Sequence, residues 1–447
     1  MSANAVTGVR RYLGVFDAVA IMMGVVIGVG AFRTPPLVAG HVDSSWAFLG
    51  VWLAGGVVML IGALCYAELA SRYPDAGGEY HFLSRALGQR VAILFGWARG
   101  TVIQTGGIAA VAFVFGDYAS TLFSLGEHGP ALYAGLAIVV FTLVNVAGTH
   151  QGRMVQRLFT LLTVALMLGV IVLGLGSMES HTLSQRSSAP MGEGLSALGM
   201  AMVFVLITYG GWNEAAYLSA DMRQPQRDMA SVLLIGSVLL IVLHVLINLS
   251  YLGVLGLEGL RNSEAVASNM MQVILGDTGA LAMTVIVMAA TLSTLNATLF
   301  TGARVYYALG RDLPPLKRLG MWSQRGNNPA NALVVQGILS LVLVALGDLH
   351  RDGFEAMVDY TAPVFWGFLL LVGISLLVLR QREGDGGDRV FRVPLYPLTP
   401  ILFCLVCAGL VYASLLNAGA GGVIGVSIVM LGIPLLYWRR REPTTAT

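Results

Sequence analysis

Charge is what this sequence has least of. Only 11% of its residues are charged, against 56% apolar, and the mean hydropathy is +0.76. A soluble domain carries roughly 25% charged residues. A chain of 447 residues so poor in charge cannot cover its own surface with polar groups, which excludes a water-soluble enzyme. Its net charge of +2 is too small to point to a nucleic-acid partner. Cysteine is equally scarce: Cys65, Cys404 and Cys407 all lie within apolar stretches, so neither a disulfide framework nor a zinc site follows from their spacing. Lysine is reduced to a single residue, Lys317.

What is abundant is long apolar runs. A helix needs about 20 apolar residues to cross the hydrocarbon core. Twelve such spans are predicted, at 13–33, 46–70, 91–123, 131–149, 157–178, 194–219, 230–257, 279–309, 331–348, 355–380, 397–417 and 419–438. The connections are too short for a soluble domain. Arg10 and Arg11 before the first run resemble the start of a signal peptide, but no small-residue cleavage site follows, and the segment reads as a retained helix. Basic residues check the count. With both termini cytoplasmic, 21 of the 26 Lys and Arg fall on the cytoplasmic side and 3 on the other, with Arg33 and Arg99 in or near spans. That asymmetry is the positive-inside pattern.

The informative places are those where helical regularity fails, because unpaired backbone groups inside a membrane must face a cavity or a ligand. Span 1 holds Gly24, Gly28 and Gly30; span 6 holds Tyr209-Gly210-Gly211-Trp212. For either span alone, close helix packing explains the glycines equally well. Spans 1 and 6 each begin a set of five, however. An odd-numbered set forces the second to enter from the opposite side, giving a 5+5 inverted repeat (1–178 and 194–380) with a peripheral pair at 397–438. Two broken helices at equivalent positions of such repeats point to a midplane substrate site in a transporter. N–H groups of span 1 would receive a carboxylate and carbonyls of span 6 an ammonium, which suits an α-amino acid. The expected substrate-binding residues are Ile27, Gly28, Val29, Gly30, Ile207, Thr208, Gly210 and Trp212.

Several motifs carry a resemblance. Gly28-Val29-Gly30-Ala31-Phe32 with Pro35, Ala63-Leu64-Cys65-Tyr66-Ala67-Glu68-Leu69 with Pro74, Gly77, Gly78 and Tyr80, Tyr209-Gly210-Gly211-Trp212-Asn213 with Pro225 and Arg227, and Val393-Pro394-Leu395-Tyr396-Pro397 run along nearly the whole chain. Together they resemble the amino acid–polyamine–organocation superfamily of transporters. The resemblance implies the sodium-coupled amino acid transporter fold, an all-α polytopic protein with ten core helices, two of them broken, and two peripheral ones.

One departure from that pattern matters. Many members carry a lysine in span 5, whose ammonium sits where sodium-coupled relatives of the same fold hold an ion. Here the segment reads Phe159-Thr160-Leu161-Leu162-Thr163, and the lysine position is Thr163. In span 8, Ala290-Thr291-Leu292-Ser293-Thr294 follows the hydroxyl pattern of sodium-coupled relatives. An expected Na+ site is therefore Gly24, Ile27, Ala290, Ser293 and Thr294. The competing explanation is that hydroxyls in a membrane helix usually bond their own i−4 carbonyl. A water molecule, or a proton on Glu214, is the other.

Intramembrane charges are functional candidates by default. Glu214, three residues past the span 6 break, is a candidate to contact a cationic substrate, to carry a proton or simply to pair. Arg33 and Asp359 are the expected outer gate pair. Asp17 reads as a helix-start residue, Glu68 as a structural or gating partner and His244 as a core histidine. Ile207 stands where relatives often place a capping aromatic, so closure would fall to Trp212 or another ring. No catalytic constellation is present: no His-Glu-x-x-His, Gly-x-Ser-x-Gly or phosphate loop. A membrane enzyme or receptor and a channel are the rival classes; broken helices around a closed site suit alternating access better. The expected reading is cation-coupled uptake of a neutral L-amino acid in the cell membrane, sodium favoured, without any other cofactor. The alternative is proton-coupled or exchange transport of a cationic amino acid or polyamine. The sequence identifies no partner subunit.

Overall fold

A computed structural model describes residues 13–28, 30–178, 194–263, 265–349, 353–384, 390–417 and 419–437. Among these residues the protein is all helical, with only two isolated β-bridges and no sheet. The helices are α1 (Val15–Val26), α2 (Gly30–Ala39), α3 (Ser45–Arg72), α4 (Glu79–Leu87), α5 (Gln89–Ala98), α6 (Gln104–Leu122), α7 (Gly129–Ala147) and α8 (Thr149–Gly176). They continue as α9 (Gly194–Thr208), α10 (Pro225–Arg261), α11 (Val266–Asp312), α12 (Ala330–Gly347), α13 (Gly353–Glu383), α14 (Leu398–Asn417) and α15 (Gly419–Met430). Leucine and valine side chains along α7, α8, α10 and α14 face outward, as a lipid solvent requires.

By length and composition, nine helical stretches among the described residues can cross a membrane, and ten if α1 and α2 count as one span bent by 48°. The expected sixth and twelfth spans take shorter forms. α9 has 15 residues and is followed, after Gly210 and Gly211, by a 3-10 segment Trp212–Asp221. α15 has only 12. Gly211 sits at φ +102°, a conformation that costs a side-chain-bearing residue strain, and this is what ends the helix there. The helical runs of α10 and α11, 37 and 47 residues, are each kinked at a glycine with φ +66°, Gly256 and Gly276, that divides them into two helices. α5 and α6 join through a π-helical turn, Arg99–Ile103, that no hydropathy pattern announced.

α1 lies at the centre, packed on α8, α10, α11 and the 3-10 segment, while α2 packs on α9 and α10. α3 runs along α10, and α13 carries α14 and α15 on its outer side. The first residue of this core, Leu13, is clamped to the end of the 3-10 segment: its N–H donates to Asp221 O (2.9 Å) and its carbonyl accepts from Arg223 N (3.2 Å).

Candidate functional site

The two breaks meet. α2 starts at Gly30 and α9 ends at Thr208, and a Cβ on Gly30 would lie 2.9 Å from the Thr208 Cα. Only hydrogen there allows the backbones so close. The positive N-terminal end of α2 thus abuts the negative C-terminal end of α9, a juxtaposition able to receive both ends of a zwitterion. The chain turns tightly between α1 and α2, with Ile27 N on Met23 O (2.7 Å) and Gly28 N on Val26 O (2.8 Å). Across the gap Gly210 N donates to Ile207 O (3.0 Å), and a Cβ on Gly211 would meet Val25 Cγ1 at 2.6 Å. Val29 lies outside the described residues.

Thr34 joins this junction and was not anticipated. Its hydroxyl donates to Gly30 O (2.8 Å) and lies 2.5 Å from the Thr208 hydroxyl, which in turn donates to Phe204 O (2.9 Å). Its place one turn after Gly30 was the available signal. Ile207 is partly buried against the core. Trp212 is buried with its ring against Tyr66 (4.8 Å between centroids) and Phe403 (6.3 Å), over Gly62; that contact is packing between α3 and α14.

The expected ion-site residues also converge, with an intruder. Thr294 Oγ1 donates to Gly24 O (2.8 Å) and sits 3.3 Å from Ile27 O, and a Cβ on Gly28 would come within 2.5 Å of it. Ala290 is fully buried one helical turn earlier. This oxygen set has the hardness that a monovalent cation requires. Ser293, however, is engaged elsewhere: its Oγ accepts from Gln156 Nε2 (3.1 Å) and lies 3.3 Å from Thr160 Oγ1. Gln156 Nε2 also donates to Thr160 Oγ1 (2.8 Å), and it lies where a Cβ of Gly24 would be. Thr163, at the lysine position, is buried and its hydroxyl has no hydrogen-bond partner. Gln156, in the first turns of α8, went unnoticed, although an amide in a membrane helix is itself a signal.

Glu214 is paired. It belongs to a buried cluster around Arg99, which is 1% exposed and forms ion pairs with both Glu214 and Glu79, the latter at 3.0 Å. Glu79, at the first turn of α4, accepts from Tyr66 OH (2.5 Å) and Asn213 Nδ2 (2.9 Å) on one oxygen, and from Tyr217 OH (2.5 Å) and Arg99 on the other. The π-helical turn that begins at Arg99 lets α5 deliver the guanidinium here, over the Tyr217 ring at 4.6 Å. The sequence contained the signal, an arginine inside a span, but not its partners.

Arg33 forms an ion pair with Asp117 at 3.7 Å and lies over the Phe354 ring at 5.1 Å. Asp117 is thus a partner the sequence reading missed. Asp359 lies in α13 where Gly421 of α15 comes against it. Asp17 caps α1 through Gly14 N (3.4 Å) and pairs with Arg157 of α8. Glu68 receives Arg380 through both oxygens (2.6 and 2.9 Å) and Val393 N (2.7 Å), tying α3 to α13 and to the segment before α14. His244 is fully buried, with Nδ1 2.8 Å from Leu240 O and its ring stacked on Trp52.

A sequence profile described as amino acid permease matches residues 13–437, nearly the whole chain. The chain belongs to the amino acid permease family. This permease is 30% identical over 441 residues to the b(0,+)-type amino acid transporter 1 of Rattus norvegicus, covering 97% of the chain and 88% of the relative. It is 24% identical over 440 residues to the serine/threonine exchanger SteT of Bacillus subtilis (strain 168), covering 97% and 98% respectively. It is 27% identical over 458 residues to the large neutral amino acids transporter small subunit 2 of Rattus norvegicus, covering 98% and 83%. Like these relatives, the permease is an integral membrane transport protein and not an enzyme.

Proposed function

We propose that the permease moves a neutral L-amino acid across the cytoplasmic membrane by alternating access. The observation that carries this reading is the contact of Gly30 with Thr208, which sets two opposed helix ends at one point in the membrane interior. Around it we place twelve spans in two inverted five-helix repeats, 1–178 and 194–380, with a peripheral pair at 397–438 and both termini cytoplasmic. The engagement of Glu214 by Arg99 and the apolar side chain of Ile207 favour a neutral substrate over a cationic amino acid or polyamine. Arg33 and Asp359, with Asp117 paired to Arg33, are proposed to close the outer side. Coupling to sodium belongs to the same proposal, with Gly24, Ile27, Ala290, Ser293 and Thr294 as the residues that would hold the ion. When bound there, the ion would supply the positive charge that a lysine ammonium supplies elsewhere in the family.

The names of the relatives, two transporters and an exchanger, support amino acids as the substrate class. Purified protein in proteoliposomes should take up at least one of the twenty L-amino acids saturably. Unlabelled substrate inside should accelerate uptake of labelled substrate, which a channel would not show. Absence of saturable uptake for every amino acid and for several polyamines, with and without a sodium gradient, would overturn the reading.

A further inference from the structure

The junction of α1, α8 and α11 contains a side chain whose chemistry opposes that of an ion. Gln156 is 2% exposed, and its carboxamide is held in one orientation by a chain of buried amides. Asn296 Nδ2 donates to Gln156 Oε1 (2.8 Å), and Asn145 Nδ2 donates to Asn296 Oδ1 (2.8 Å) and to Phe141 O (2.8 Å). Asn328, before α12, donates to Asn145 O (2.7 Å) and Val146 O (3.1 Å). Because Asn296 offers a donor, Gln156 must present its oxygen to Asn296 and turn its NH2 the other way. That NH2 group lies against Gly24 and donates to Thr160 and to Ser293, and Gly24 and Ser293 are both expected ion ligands. An NH2 group is the positive end of the amide dipole and has no lone pair to offer a cation. A cation bound to Ser293 Oγ would have to share that oxygen with the amide and lie beside its positive end.

We infer that the Gln156 carboxamide and a cation are mutually exclusive at this junction. While no ion is bound, the amide ties α8 to α11 without charge and packs against Gly24 of α1. An ion binds only as the amide leaves. Gln156 therefore determines how strongly this permease responds to sodium. The inference deepens the coupling part of the proposed function and rests on the same oxygens.

The test uses full-length protein purified in detergent, without any amino acid, and measures thermal stability against sodium chloride, with choline chloride at equal ionic strength as reference. Gln156→Glu keeps the length and the oxygen facing Asn296 but replaces the donor with a carboxylate oxygen. Gln156→Asn keeps the amide but withdraws it by one methylene. Both should bring the half-saturating sodium concentration at least tenfold below that of the native protein. A native protein indifferent to sodium beside a responsive Gln156→Glu would uphold the inference and remove sodium from native transport. Identical sodium curves for the native protein and whichever variant folds, including curves that are all flat, would overturn it. The measurement needs no substrate, so failure of amino acid uptake would sink the transport reading alone.

Discussion

At the scale of single residues, the heaviest burden lies on Arg99. Removing the guanidinium leaves two buried carboxylates, Glu79 and Glu214, facing each other without a cation. Breaking a buried ion pair from one side costs about 3–5 kcal/mol. Arg99→Met should therefore lower the melting temperature in detergent sharply, and adding Glu214→Gln should recover part of the loss. Equal melting temperatures for Arg99→Met and the native protein would show that the cluster does not hold the fold. Gly30→Val makes a different demand, since its side chain would collide with Thr208 where the two breaks touch. It should insert at normal levels yet lose substrate binding, whereas Gly107→Ala, which meets open space, should change neither. At this scale sequence reading was uneven. It selected Gly24, Gly28, Gly30, Ser293 and Thr294 because glycine and hydroxyl residues in an apolar helix are conspicuous. It passed over Gln156, Thr34 and Asp117 because their importance lies in partners far away in the chain. Gln156 reaches Ser293 across 137 positions, and no local pattern encodes that register.

Among the helices, the apolar runs located α3, α7, α12 and α14 to within a few residues, because about 20 apolar residues in sequence have few other solutions in lipid, while α8 begins eight residues before its expected span. Where a helix is bent, hydropathy was blind to the geometry. The Arg99–Ile103 turn and the kinks at Gly256 in α10 and Gly276 in α11 depend on local backbone angles. The break after α9 offers a direct check. Gly211→Ala must hold a side chain at φ +102° and meets Val25 as well. Strain of about 1–3 kcal/mol is expected at such a position, so uptake should fall while Gly199→Ala, in open space within α9, stays neutral. Arg33 of α2, Asp117 of α6 and Asp359 of α13 supply a second check. An exposed ion pair contributes about 0–1 kcal/mol to stability, so Arg33→Ala and Asp359→Ala should impair transport far more than folding. If both act in one closing step, the double variant should be little worse than either single one. Additive losses would separate them, and Asp117→Ala should then behave as the true partner of Arg33.

For the molecule as a whole, α14 and α15 are bound to α13 and not merely adjacent to it. α15 presses its backbone on α13, where a Cβ on Gly425 would lie 2.1 Å from Tyr360 O, and it accepts a hydrogen bond from Trp97 at Ile428 O (2.7 Å). α14 closes on Gly373 of the same helix, and Glu68 fastens the segment before it. α15 itself has 12 residues, about 18 Å of helix, and the run reaches Tyr437 through a turn and the 3-10 segment Ile433–Tyr437, which adds about 10 Å, so this last span barely matches a hydrocarbon core of about 30 Å. A thicker bilayer would leave it short, and the lipid around it would thin at a cost that grows with each ångström of mismatch. A tilt of α13 would carry α15 and the lipid around it along. Membrane thickness thereby becomes a hidden variable of the turnover rate. The same protein reconstituted in short-chain and long-chain lipids should bind substrate with equal affinity and transport it at different speeds.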